Sequence, residues 1–149
     1  MLEKSKTTNA SLLLIDMEDS VHLEMKEEAR KMTRRYIQAQ HLDSKLKEIT
    51  EAMAPSTFIF PRVNDISTGM FTEDITTLVT EETKHLVHGF LVCKTNTTKD
   101  YQEIDLVLKD LEKSMRVPTN TYKLIFLVET PEGFTNMKEI LTGKLTSHD

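Results

Sequence analysis

A parallel α/β sheet is the fold this sequence predicts, and three observations predict it. Four short apolar runs, at residues 12–15, 57–60, 90–93 and 124–128, are near-continuous rather than alternating, as strands are when both faces of their sheet are covered. Between them lie segments whose apolar residues recur three and four apart, so strand and helix alternate four times. Each run then ends in polar or charged residues, where loops leave a sheet.

Taken in order, the aliphatic LLLI of the first run passes straight into Asp16, Glu18 and Asp19. Two helical stripes follow, one of Met25, Ala29, Met32 and Tyr36 and one of Leu42, Leu46, Ile49 and Met53. The first connection is therefore expected to hold two helices and to be the longest. The second run leads to Arg62 and Asn64 and then to the stripe Phe71, Ile75 and Leu78. The third leads to Lys94 and to Tyr101, Ile104, Leu108, Leu111 and Met115; the fourth leads to Glu129 and Thr130 and to Phe134, Met137 and Leu141. Pro55, Pro118 and Pro131 fall at segment edges, where a fixed φ and a missing amide donor are tolerated. Methionines on these stripes are read as core filling.

Composition narrows the function classes. With 149 residues, 38% of them hydrophobic and 29% charged, the chain is expected to form one domain over residues 1–149 with a sizeable core. Its net charge of -5 is spread over interspersed acids and bases, which offers no basic stripe for nucleic acid. No run is long enough to span a bilayer, and the start MLEKSKTTNA lacks the apolar segment of a secretory signal. The single Cys93, in an apolar run, is expected to be a buried small hydrophobe in a reducing, intracellular compartment. Asn9-Ala10-Ser11 and Asn96-Thr97-Thr98 then match the glycosylation pattern by coincidence. His85 and His88 have metal-like spacing but no companion ligands and are read as surface histidines; MKEEARKMTRR is read as a solvated helix face.

The chemistry collects at the strand ends. In parallel α/β folds the carboxyl ends of the strands point one way and their loops surround one mouth. Here they carry Asp16, Glu18 and Asp19, then Arg62 and Asn64, then Lys94, then Glu129 and Thr130. Several carboxylates with a cation beside them suit a hard metal such as Mg2+, which takes oxygen ligands. Polar residues also end strands simply because loops are wet; four consecutive ends of this kind favour a site.

In order, LLLIDMEDSV, FPRVNDISTG, GFLVCKTNTTKDYQEID and LIFLVETPEGFTNMKEI resemble successive blocks of the citrate lyase beta subunit, or HpcH/HpaI aldolase, family, and within it the citramalyl-CoA lyase-like proteins. The resemblance implies a TIM-barrel enzyme that uses magnesium to cleave a carbon–carbon bond in a short 3-hydroxyacyl-CoA, with an oxo acid and acetyl-CoA as products. It implies that Glu129 ligates the metal directly and that Glu18 and Asp19 reach it through water. Arg62 is implied to contact substrate or the thioester oxygen, and Lys94 and Thr130 to line the substrate. Asp16 matches its block without a clear role. Pro131-Glu132-Gly133 departs from the family's small-residue pattern, so substrate identity is not carried over.

A full barrel has eight strands in about 250 residues; four are visible here. Aligned by its blocks, the chain lacks the family's opening strand, a second metal-binding Asp and the closing C-terminal segment. The expectation is a partial barrel of four βα units that is weakly active or inactive alone and that associates with another copy or a complementary chain. The resemblance also implies a mitochondrial location, with the cytoplasm as the alternative. A noncatalytic interaction protein is the second reading; a phospho-acceptor signalling domain is disfavoured because Lys94 and the acids do not follow that strand order.

Overall fold

In the computed structural model, residues 10–50 and 57–142 are described, the stretch 41–50 as helix backbone only. Four parallel strands form one sheet in the order β1-β2-β3-β4: β1 (Leu12–Asp16), β2 (Phe58–Arg62), β3 (Gly89–Cys93) and β4 (Lys123–Leu127). Each lies within two residues of its predicted run. The register pairs Leu12 with Phe58 and Asp16 with Arg62, then Arg62 with Leu91, then Gly89 with Lys123.

Four helices alternate with the strands: α1 (Lys26–Thr50), α2 (Phe71–Leu78), α3 (Thr98–Met115) and α4 (Pro131–Thr142). The two stripes expected in the first connection belong to one uninterrupted helix, because no glycine or proline breaks the sequence between Tyr36 and Leu42. Met53 and Pro55 lie outside the described residues, as do the side chains of Leu42, Leu46 and Ile49. Thr97 opens α3 with a capping box shared with Asp100, which satisfies otherwise orphaned amide donors.

Side chains alternate across a strand, so the register decides which face each residue takes. Ile15, Ile59, Phe90 and Val92, with Met17 and Val63 just past the strand ends, share one buried core with Tyr36 and Ile37 of α1, Phe71, Ile75 and Leu78 of α2, and Ile104, Leu108 and Leu111 of α3. The opposite face carries Leu12, Leu14, Phe58 and Leu127, which are 36 to 49% exposed. Near-continuous apolar strands were expected to be covered on both faces; among the described residues the helices cover one. At the centre of the other face Phe60, Leu91 and Cys93 are still buried, and Phe60 lies over Gly89, where a Cβ would come within 2.5 Å of its ring.

Two helical stripes are rotated from expectation. On α1 the inward residues are Arg30, Thr33, Tyr36 and Ile37; Met32 is exposed, as is Met25 in the turn just before the helix, so these methionines do not fill the core. On α4 Gly133 and Ile140 are buried and Phe134, Met137 and Leu141 face outward. The cause is local: Gly133 sits where a Cβ would lie 2.8 Å from the Thr95 carbonyl oxygen, and that close approach fixes which side of α4 meets the loop after β3. No helix among the described residues is long and apolar enough to cross a membrane.

Candidate functional site

Arg62 ends β2 in register with Asp16 of β1, and this places a guanidinium at the carboxyl edge of the sheet. Its NH2 lies 2.5 Å from Glu18 Oε2, 2.9 Å from Asp19 Oδ2 and 3.5 Å from Glu129 Oε1; its NH1 lies 3.7 Å from Asp16 Oδ2. Lys94, just past β3, reaches Glu18 Oε1 at 2.5 Å and Asp19 Oδ1 at 3.2 Å. Acids from two strand ends thus converge on cations from the other two. The loop after β1 does the turning: Asp16 Oδ1 accepts from the Glu18 amide at 2.8 Å, a local turn that short acidic side chains favour. Lys94 itself adopts a left-handed conformation, φ 52.

Glu18 is the pivot, 6% exposed between Arg62 and Lys94. Burial of a lone carboxylate would be costly, and two cations offset it. Its Oε2 contact with Arg62 is a close ion pair without hydrogen-bond alignment, and Glu18 Oε2 and Arg62 Nε are both buried without a hydrogen-bond partner. The neighbouring Glu18 carboxyl, followed by Lys94 and Arg62, holds Asp19 below the usual carboxylate range. Lys94 is pushed up by its hydrogen bonds to Glu18 and Asp19. For Arg62, burial pulls downward but is outweighed by the charges of Glu18 and Asp16 and by Cys93, so the guanidinium stays charged. Burial pushes the Cys93 thiol up to about 11, which leaves it inert at neutral pH.

Other residues read as strand-end candidates are spent elsewhere. Asn64 is buried, and its amide and side chain both donate to Asp74 at 2.7 Å. Thr130 caps α4: its hydroxyl accepts from the Gly133 amide at 3.0 Å and donates to Asn96 Oδ1. Glu132 points to solvent. His85 is exposed, but His88, read as a surface histidine for want of companion ligands, is half-buried. Its Nδ1 accepts from the Ile59 amide at 3.1 Å, and its ring meets Phe58 edge-on at 5.0 Å.

Sequence reasoning missed Arg30 and Asp74. Arg30, placed on a solvated face by charge alternation, is buried and donates to Asp74 Oδ1 at 2.6 Å, while Asp74 has no exposure at all. The signal was available only as a pair: a cation and an acid in step with Tyr36 and Ile37 on α1 and with Phe71, Ile75 and Leu78 on α2.

The donor set is all oxygen, as magnesium prefers, yet no group of three or more His, Cys, Asp or Glu among the described residues is placed to hold a metal ion. Glu18 and Asp19 are turned onto Arg62 and Lys94, which leaves Glu129, held loosely at 3.5 Å, and the exposed Asp16. The described residues therefore do not form a complete magnesium site.

A protein-family model described as HpcH/HpaI aldolase/citrate lyase matches residues 1–147. No curated protein matches the sequence. Among solved structures, Haloferax volcanii malate synthase in a pyruvate/acetyl-CoA ternary complex superposes with a TM-score of 0.74 at 14% identity, over 90% of this chain and 35% of its own. The magnesium/glyoxylate complex of the same enzyme gives 0.73 at 14% identity, over 87% and 36%, and its lead(II) complex 0.73 at 15%, over 90% and 37%. The chain thus spans little more than a third of these neighbours, and at such identities the likeness shows the fold alone: a partial (β/α) barrel.

Proposed function

The chain belongs to the HpcH/HpaI aldolase/citrate lyase family, and on that premise we propose that it is a carbon–carbon lyase domain for short 3-hydroxyacyl-CoA esters of the citramalyl-, malyl- or citryl-CoA type. The observation that carries this reading is Arg62: one guanidinium at the carboxyl edge, within 3.7 Å of four carboxylates. Cleavage leaves an electron pair on the acetyl thioester, whose oxygen becomes an enolate. A fixed cation facing that oxygen meets the charge as it develops and lowers the barrier.

In this reading Glu18 and Asp19 hold Arg62 and Lys94 in place, so that neither must reorganise when charge appears. Lys94 offsets the carboxylate of the oxo-acid half, and Thr130 contacts substrate by exchanging its bond to Asn96. Magnesium is the metal the reading calls for; Glu129 would give it one direct carboxylate, and Glu18 and Asp19 would reach it only through water. The described residues offer no complete set of ligands, so the rest would come from beyond them, whether from this protein itself, a second copy or a complementary chain. The partners are then a short acyl-CoA and an oxo acid, and the location is mitochondrial or, failing that, cytoplasmic. Turnover by this chain alone is reduced or absent.

A noncatalytic interaction protein is the second reading, favoured by the acids Glu18 and Asp19 being already neutralised by Arg62 and Lys94. Calorimetric titration of magnesium, with and without acetyl-CoA or glyoxylate, separates the two. The lyase reading expects metal binding that depends on the organic ligand and is lost in Glu129→Gln. Titrations that are flat, or identical for the two proteins, assign the chain to the second reading.

A further inference from the structure

Two cations of α1, Lys26 and Arg30, stand four residues apart and so project from one side of the helix. Neither contacts a rim carboxylate among the described contacts. Lys26 Nζ donates to the carbonyl oxygens of Met17 at 2.9 Å and Glu18 at 2.6 Å, the backbone that carries Glu18 and Asp19 to the rim. Arg30 donates Nε to Asp74 Oδ1 at 2.6 Å and places NH1 3.0 Å from Glu73. Asp74 spends its other oxygen on the Asn64 amide and the Asn64 side chain, both at 2.7 Å. Asn64 stands two residues after Arg62. One helix therefore grips the acid-bearing segment directly and the cation-bearing segment through Asp74.

The energetics argue that this grip is for geometry. Taking a guanidinium and a carboxylate out of water is costly, and well-packed apolar residues often serve stability as well or better. What an apolar pair cannot do is fix an amide and a side-chain donor of Asn64 at once. A backbone bond already joins the two segments, Met17 donating to the Arg62 carbonyl at 3.0 Å, so small displacements of either are felt at the Glu18–Arg62 contact.

We propose that Lys26 and Arg30 are positioning residues: α1 sets the Glu18–Arg62 contact from behind, Lys26 holding the loop after β1 and Arg30 holding, through Asp74 and Asn64, the chain that follows Arg62. The role deepens the lyase reading and rests on it for its purpose, while its measurement needs no substrate.

The experiment is a double-mutant cycle of Glu18→Gln and Arg62→Met on the full chain, read by urea unfolding, in wild type and in Lys26→Met. The wild-type coupling is expected to be on the order of tenfold in the unfolding constant, to fall at least about threefold in Lys26→Met, and to return in Lys26→Arg. Coupling unchanged in Lys26→Met, with only overall stability lowered, overturns the positioning role. Arg30 is tested as Arg30→Lys, which keeps the charge but not the Nε donor, by the NMR shift of the Arg62 Nε–H in the folded protein. A moved resonance supports the grip, and an unmoved one overturns it for Arg30. The same resonance in Lys26→Gln decides the Lys26 half if Lys26→Met fails to fold. Ligand titrations that fail in wild type would sink the lyase reading and leave the coupling to be judged by itself.

Discussion

Arg62 at the end of β2 and Glu18 past the end of β1 meet at 2.5 Å, NH2 to Oε2, while the other oxygen of Glu18 takes Lys94 at the same distance. One buried carboxylate thus ties together chain leaving three strands. This arrangement makes the carboxyl edge a joined structure rather than a set of independent loop residues.

Removing Arg62 should therefore be felt in stability. In Arg62→Met the buried Glu18 keeps Lys94 but loses its guanidinium. Breaking a fully buried pair costs about 3–5 kcal/mol; with Lys94 still in place and Arg62 partly exposed, the expected loss is about 1–2 kcal/mol. A lowered urea midpoint at unchanged slope agrees with this, and an unchanged midpoint contradicts it.

Gly133→Ala is expected to destabilise although alanine is the better helix former. The added Cβ would meet the Thr95 carbonyl at 2.8 Å, Thr130 Oγ1 at 3.1 Å and Asn96 Oδ1 at 3.3 Å. Overpacking of this kind costs about 1–3 kcal/mol, more than the roughly 1 kcal/mol gained in helix propensity. A raised thermal midpoint would mean that α4 does not depend on this approach.

Stability should also fall below about pH 6.5 through His88. Burial lowers its folded-state value from the ordinary 6.5, outweighing its hydrogen bond to Leu86, and the Ile59 amide needs Nδ1 unprotonated to accept. The unfolded chain then binds more protons than the folded one just below 6.5. The His88 contribution is complete above that pH and is lost as pH falls through the folded value. Asp19, Glu27 and Glu81, all held below their ordinary values, add losses only at more acid pH. Urea midpoints at pH 7.5 and 5.5 should differ in wild type and converge in His88→Gln; equal differences in both would contradict the assignment.

How much was legible in the sequence follows from how local each signal is. The strands are placed within two residues because a continuous aliphatic run is a local pattern. The convergence of Asp16, Glu18, Asp19, Arg62, Lys94 and Glu129 follows from parallel topology alone, since all carboxyl ends share one edge. What failed needed partners remote in sequence. Arg30 reads as surface until Asp74 of α2 is set beside it, and Phe134, Met137 and Leu141 read as core until Gly133 turns α4 against Thr95. Asn64 and Thr130 sit at strand ends as expected, but neighbouring donors and acceptors had already engaged them. The open sheet face follows from the half-barrel reading: near-continuous apolar strands suit burial on both faces, and a segment of only four barrel strands leaves its inner face uncovered, as Leu12, Leu14, Phe58 and Leu127 show.

Whether this rim receives an oxo acid and an acyl thioester is decided by NMR of the labelled chain titrated with glyoxylate, magnesium and acetyl-CoA. Shifts are expected at Glu18, Asp19, Lys94, Glu129 and the Arg62 Nε–H, and are expected to vanish in Glu129→Gln. Shifts absent throughout, or centred on the cleft between α3 and β4 around Tyr101 and Phe126, would contradict it.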